Sequence, residues 1–232
     1  MNRLRLALVP LVLLLAAWPL SAGGVKDIGT ESDDDMIRFG TVDKDKTTQY
    51  GLGGNDSLYV GANAGDDTVT QYGGLGNDAL TVNAGGGNDK VTQCGGEGDD
   101  TLIADGGSGS DAITQDGGPG SDELDASTGT SNQKITQKGG EGDDAIRAFG
   151  GDGDDTGRID GGPGNDTITY DVSSGEDKVT ITGGLGVDTL IVNVSSRNVI
   201  VLYKKLVLYS SGEGGTVIAL KDEFEHLTIN DE

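Results

Sequence analysis

Aromatic residues make up 4% of this 232-residue chain and apolar residues of every kind 34%, too little for a domain that buries one large core. A single cysteine, Cys94, rules out a disulfide within the chain. The single histidine, His226, lies in a β-like stretch that suits a strand position better than a general base. Basic residues are scarce: 16 Lys plus Arg stand against 39 Asp plus Glu, for a net charge of −23 and a sequence pI near 4.1. That balance argues against nucleic acid and anionic membranes as partners and in favour of cations. Low hydrophobicity with high like charge is also the composition of disordered chains, so any order has to show in the arrangement of the residues.

The one strongly apolar run is at the amino terminus. Asn2, Arg3 and Arg5 form a basic start, Leu6 to Leu20 an apolar stretch, and Ser21-Ala22-Gly23 a small-residue cleavage zone. Residues 1–22 therefore read as a secretory signal peptide. The stretch is broken by Pro10 and Pro19 and is short for a membrane span. The chain from Gly24 onward is expected outside the cell or at its surface.

What is abundant is glycine, 42 residues of it, and it is counted out regularly. Aspartates stand at Asp56, Asp67, Asp78, Asp89, Asp100, Asp111 and Asp122, then at Asp144, Asp155, Asp166, Asp177 and Asp188, each step a multiple of 11 residues. Gln133 takes the one missing place, and no insertion shifts the register. A glycine cluster precedes most of these aspartates, as in Gly73-Gly74-Leu75-Gly76-Asn77-Asp78, which suits a tight turn. Two residues after each aspartate comes an aliphatic side chain, such as Leu58, Val69, Leu80 and Val91, with Gly157 the exception. Around it the chain alternates in the period-two manner of a short half-buried strand.

A second period of 22 overlies the first. The next inward position carries Gln49, Gln71, Gln93, Gln115 and Gln137 in one series and Val60, Val82, Ala104, Ala126 and Ala148 in the other. The fold predicted is all-β, a parallel β-roll or β-helix solenoid with 22 residues, two strands and two turns per coil. The inward glutamines are expected to stack as an amide ladder.

With these turns on the page, the chain resembles the RTX calcium-binding β-roll family, whose nonapeptide is G-G-x-G-x-D-x-U-x with U aliphatic. The segments Gly73 to Thr81, Gly95 to Ile103, Gly117 to Asp125, Gly139 to Arg147 and Gly161 to Thr169 match it best. Here the unit is 11 residues rather than nine, the turn being kept and the strand lengthened. The resemblance implies several Ca²⁺ ions held between adjacent coils by the motif aspartates and turn carbonyls. Pairs 22 residues apart then define one edge with Asp56, Asp78, Asp100, Asp122, Asp144, Asp166 and Asp188, and an opposite edge with Asp67, Asp89, Asp111, Asp155 and Asp177. The second edge has poorer glycines, as in Ala62-Asn63-Ala64-Gly65, and at Gln133 no ion is expected. Calcium, a hard cation taking six to eight oxygens in loose geometry, suits such turns better than magnesium.

The flanks differ from this repeat. Residues 24–50 keep an echo of the period at Asp34 and Asp45 and are expected to cap the first coil, with the solenoid at 51–192. Residues 193–232 hold β-rich stretches that read as irregular final coils. No catalytic set emerges, and Arg147 and Arg158 fall on opposite sides of a coil. The reading is a non-enzymatic, calcium-binding extracellular module, with a cell-surface or matrix glycan or protein as possible partner. The alternatives are a polysaccharide-active β-helix enzyme of lyase or epimerase type, and a surface adhesin.

Overall fold

A computed structural model describes residues 24–172, 174–194, 198–202, 205–210, 213–220, 224 and 226–231. The segment assigned as an export signal lies outside them. Twenty strands follow one another, with no helix among the described residues. They are β1 (Val25–Ile28), β2 (Asp35–Phe39), β3 (Lys46–Gly53), β4 (Ser57–Gly61), β5 (Thr68–Leu75), β6 (Ala79–Asn83) and β7 (Lys90–Glu97). Next come β8 (Thr101–Asp105), β9 (Ala112–Pro119), β10 (Glu123–Ser127), β11 (Lys134–Glu141), β12 (Ala145–Phe149), β13 (Thr156–Pro163) and β14 (Thr167–Asp171). The last are β15 (Lys178–Leu185), β16 (Thr189–Val194), β17 (Asn198–Leu202), β18 (Lys205–Ser210), β19 (Glu213–Leu220) and β20 (His226–Asp231).

Odd-numbered strands from β1 to β15 form one parallel sheet and even-numbered strands from β2 to β16 the other. Each strand pairs with the strand one coil away at an offset of 22, as in Val69↔Val91 and Leu80↔Leu102. The predicted solenoid, with its 22-residue coil, is the fold observed. Residues 25–50 share that register, since Val25 pairs with Thr47 and Asp35 with Ser57, so this flank forms the first coil of the same two sheets.

The core is a thin slab between the sheets, built because alternate residues of both point inward. Leu80, Leu102, Leu124 and Leu190 are fully buried from one side, and Val91, Ile113 and Ile181 from the other. The glutamines join them as a ladder. Gln93 Nε2 donates to Gln71 Oε1 at 2.9 Å and also to the carbonyls of Leu80 and Ile103 across the slab at 2.9 and 3.1 Å. Each amide therefore ties its own coil to the one below and one sheet to the other.

Both ends of the ladder are closed differently. In the first coil Asp27 takes the glutamine register and Arg38 the valine register, and the Arg38 guanidinium pairs with the Asp27 carboxylate, both nearly buried. At the far end Ile159 replaces glutamine, which leaves Gln137 Oε1 without a hydrogen bond. There Tyr170, 2% exposed, takes an alanine position and lines a small cavity together with Gly157, the repeat unit without its aliphatic side chain.

The carboxy-terminal flank breaks the register. The chain leaves the coil after β16, runs through an antiparallel β17–β18–β19 meander, and only then rejoins: β19 pairs with β15 and β20 with β16. The expected irregular final coil is thus one re-formed coil interrupted by an antiparallel excursion.

Candidate metal centre

The turns are shaped by three glycines with different tasks. Gly74 and Gly76 adopt φ of +125° and +116°, a region L side chains avoid. A Cβ on either would also run into the carbonyl of the turn stacked one coil below, Leu52 or Gly54. Gly73 has no such φ and is an inward strand position; its missing side chain makes room for the carboxylate of Asp78, which folds back into the solenoid.

All the predicted aspartates therefore point inward. Asp56, Asp67, Asp78, Asp89, Asp100, Asp111, Asp122, Asp144, Asp155, Asp166, Asp177 and Asp188 are each no more than 3% exposed. They form two columns joined through the backbone: Asp56 N–H donates to Asp78 Oδ1 at 2.7 Å, Asp78 to Asp100 at 2.8 Å, and so on to Asp188. On the second edge the same bond links Asp67, Asp89 and Asp111, then Gln133 and Asp155. Asp34 and Asp45 belong to the same columns, donating to Asp56 and Asp67.

The sequence did not disclose a second, outer ladder running the other way. Where the residue before the aspartate is Asn or Asp, its side chain accepts from the backbone one coil up: Asn77 N–H donates to Asn55 Oδ1, Asp99 N–H to Asn77 Oδ1, and Ser121 N–H to Asp99 Oδ1. Because Asp, Asn and Ser interchange there, the position shows no consensus. Its only signal is a short polar residue at most turns, with Glu176 and Val187 the exceptions.

One oxygen of each inner carboxylate is thus satisfied by the backbone. The other is not. Oδ2 of Asp56, Asp78, Asp100, Asp122, Asp144 and Asp166 on the first edge, and of Asp67, Asp89 and Asp111 on the second, is buried with no hydrogen-bond partner. A buried unpaired carboxylate oxygen is costly and is resolved by a proton or a cation. Burial, first of all, lifts these carboxyls above their ordinary range while the backbone N–H opposes it, and at Asp56, Asp67, Asp89, Asp100, Asp144 and Asp166 neighbours in the column add to the rise. Asp100 and Asp144 are pushed up to about 7, and Asp56, Asp89 and Asp166 to about 6.

A carbonyl faces each first-edge oxygen. A Cβ built on Gly51, Gly73, Gly95, Gly117, Gly139 or Gly161 would lie within 2.7 Å of both the Oδ2 of its own turn and the glycine carbonyl oxygen of the next coil. The two oxygens therefore stand no farther apart than twice that distance. One calcium ion, with Ca–O distances of about 2.3 to 2.6 Å, can bridge such a gap. Among the described residues no three His, Cys, Asp or Glu side chains converge on one point, so an ion here would depend on carbonyl oxygens as much as on carboxylates.

No protein-family model matches the chain, and no curated protein matches it. The likeness to the β-roll family rests on the turn motif.

Elsewhere among the described residues the surface gathers no comparable chemistry. Cys94 lies in an outward column with Tyr72 and Asp116; burial, with a smaller push from Asp116, raises its thiol. Arg147 pairs with Asp171 and Arg158 with Asp160, and the two arginines stand in β12 and β13, on different sheets.

Proposed function

We propose that this chain is an exported, non-enzymatic calcium-binding solenoid, related in mechanism to the RTX β-roll, whose coils are clamped by Ca²⁺ at the turn aspartates. The observation that carries this reading is the repeated buried Oδ2 that has no donor but faces a carbonyl oxygen of the next coil. Calcium supplies two positive charges per gap. The chain supplies the carboxylate Oδ2, the first-glycine carbonyl and further turn carbonyls, with water completing the shell. The Asp N–H to Oδ1 bonds hold each carboxylate at a fixed rotation, so Oδ2 is preset toward the gap. With a net charge of −23, neutralising the columns also relieves repulsion within the rod.

Gln133 supports the same reading from its exception. Its Oε1 keeps the backbone bond to Asp111, while its Nε2 donates to the Gly109 carbonyl at 2.7 Å. An amide proton there meets a turn carbonyl that would otherwise turn to a cation.

Calorimetric calcium titration of the chain from Gly24 to Glu232 at pH 7.5, followed by circular dichroism, tests the proposal. Binding of several ions with a gain of β signal is expected; strand content and heat indifferent to calcium would refute it. Export belongs to the same proposal, and amino-terminal sequencing of secreted material beginning near Gly24 checks it. A glycan or protein at the cell surface or in the matrix is the partner class we assign to the rod.

A second reading is favoured by the two Asx ladders, which join the coils without metal. In it the carboxyls are protonated and purely structural. Thermal melts across pH with and without calcium distinguish the two: in this second reading calcium leaves the pH trend unchanged.

A further inference from the structure

We infer that calcium is held along the first edge alone, and that the second edge is closed by the protein's own side chains. This rests on the calcium reading above and deepens it. The two edges carry the same aspartate but differ in the residue five positions before it. On the first edge that residue is glycine in every coil from Gly29 to Gly183, and from Gly29 to Gly161 it leaves the space between Oδ2 and the next carbonyl open.

On the second edge the space is filled or misshapen coil by coil. Ala62 and Ala84, 2% and 0% exposed, put methyl groups into the position that glycine leaves empty. Thr128 goes further: its hydroxyl donates to the carbonyl oxygen of Gly150, the register equivalent of the carbonyl an ion would take on the first edge. In the same turn Gln133 supplies an amide nitrogen in place of a carboxylate oxygen. Val172, 9% exposed, fills the same position with an isopropyl group. The glycines that remain do not restore the site. The nearest atoms to a Cβ on Gly106 or Gly150 all belong to the aspartate of its own turn, with no carbonyl from the next coil among them.

The first coil is closed on both edges by another route. Asp34 Oδ2 accepts from Thr30 N–H at 2.5 Å and from its hydroxyl at 3.0 Å, and Asp45 Oδ2 accepts from Thr41 N–H at 2.5 Å. Those oxygens already have donors. The ions then belong to Asp56, Asp78, Asp100, Asp122, Asp144 and Asp166, six carboxylates with an unpaired oxygen and an open carbonyl opposite.

Equilibrium dialysis of the full chain against radiolabelled calcium at pH 7.5 tests this, with Asp100→Asn for the first edge and Asp89→Asn for the second. Either substitution keeps an oxygen for the backbone N–H one coil below. The expected result is about six ions per wild-type chain, one or two fewer for D100N, and an unchanged number for D89N. A wild-type count well above six, or an equal loss in D89N and D100N, overturns the one-edge inference while leaving calcium binding intact. No bound calcium at all overturns the calcium reading itself. The wild-type count stands even if a variant misfolds.

Discussion

At Gly95 and Ala84, half a coil apart, the chain makes opposite choices about the same space: one edge leaves it open beside Asp100, the other puts a methyl group beside Asp89. Both aspartates hold the same backbone bond and both keep an unpaired Oδ2. The difference teaches that the aspartate period alone specifies the solenoid turn, while the residue five positions earlier decides whether that turn has room for anything else. A motif search that scores the aspartate sees two equal edges; packing separates them.

The comparison can be broken most forcefully with pH. In chelator the raised carboxyls, from Asp56 at about 6 to Asp100 and Asp144 at about 7, bind protons more tightly in the folded chain than in the unfolded one, where they titrate near the ordinary 3.8. Their contribution to stability is therefore complete below about pH 4 and is lost as pH rises through 6 to 7. Metal-free protein is expected to melt at a higher temperature at pH 4 than at pH 8. With millimolar calcium the trend reverses, because only ionised carboxylates take the ion. Thermal melts by circular dichroism across that range, with and without calcium, check both arms. Loss of stability on acidification in chelator would contradict the account.

Next in size is Gly95→Ala. Its backbone φ is ordinary, but the new Cβ would press on Asp100 Oδ2 and stand 2.7 Å from the Gly117 carbonyl. Overpacking of this kind costs about 3 kcal/mol at the upper end of its usual range, and calcium affinity should fall with it. The mirror change, Ala84→Gly, deletes a buried methyl and is expected to cost only about 1 kcal/mol, with no change in calcium affinity. Denaturant melts of the two variants measure the asymmetry directly.

A core change sharpens the contrast by ignoring the edges. Gln93→Leu removes the amide between Gln71 and Gln115, leaving Gln71 Oε1 without its side-chain donor. Buried groups left unpaired cost about 1 to 3 kcal/mol, and the loss should be equal with and without calcium. The smallest effect belongs to the outer ladder: Asn77→Ala removes an exposed acceptor for Asp99 N–H and should lower stability by about 0.5 to 1 kcal/mol.

Most of the fold was readable in the sequence because its period is the architecture. The offset of 22 in Gln49, Gln71 and Gln93 is the sheet register itself, and the alternation around Val69 and Leu80 is the inward face. The two aspartate columns were legible for the same reason. What the aspartates do was less so, since no pattern tells that Oδ1 is tied to the backbone one coil down and that only Oδ2 is left over. The first coil read only as a cap with an echo of the period because Asp34 and Asp45 lack glycine clusters, their carboxylates being satisfied by Thr30 and Thr41 instead. The β17–β18 excursion was hidden by chemistry that parallel and antiparallel pairing share: an apolar run of β-formers such as Val199 to Leu202 suits either.

The most direct test of the central claim is anomalous X-ray diffraction from crystals grown in calcium. Peaks are expected within about 2.3 to 2.6 Å of the Oδ2 atoms of Asp56, Asp78, Asp100, Asp122, Asp144 and Asp166, with none beside Asp67 or Asp89. Well-ordered first-edge carboxylates without an anomalous peak, each sharing a proton or a water with the facing carbonyl, would contradict the account.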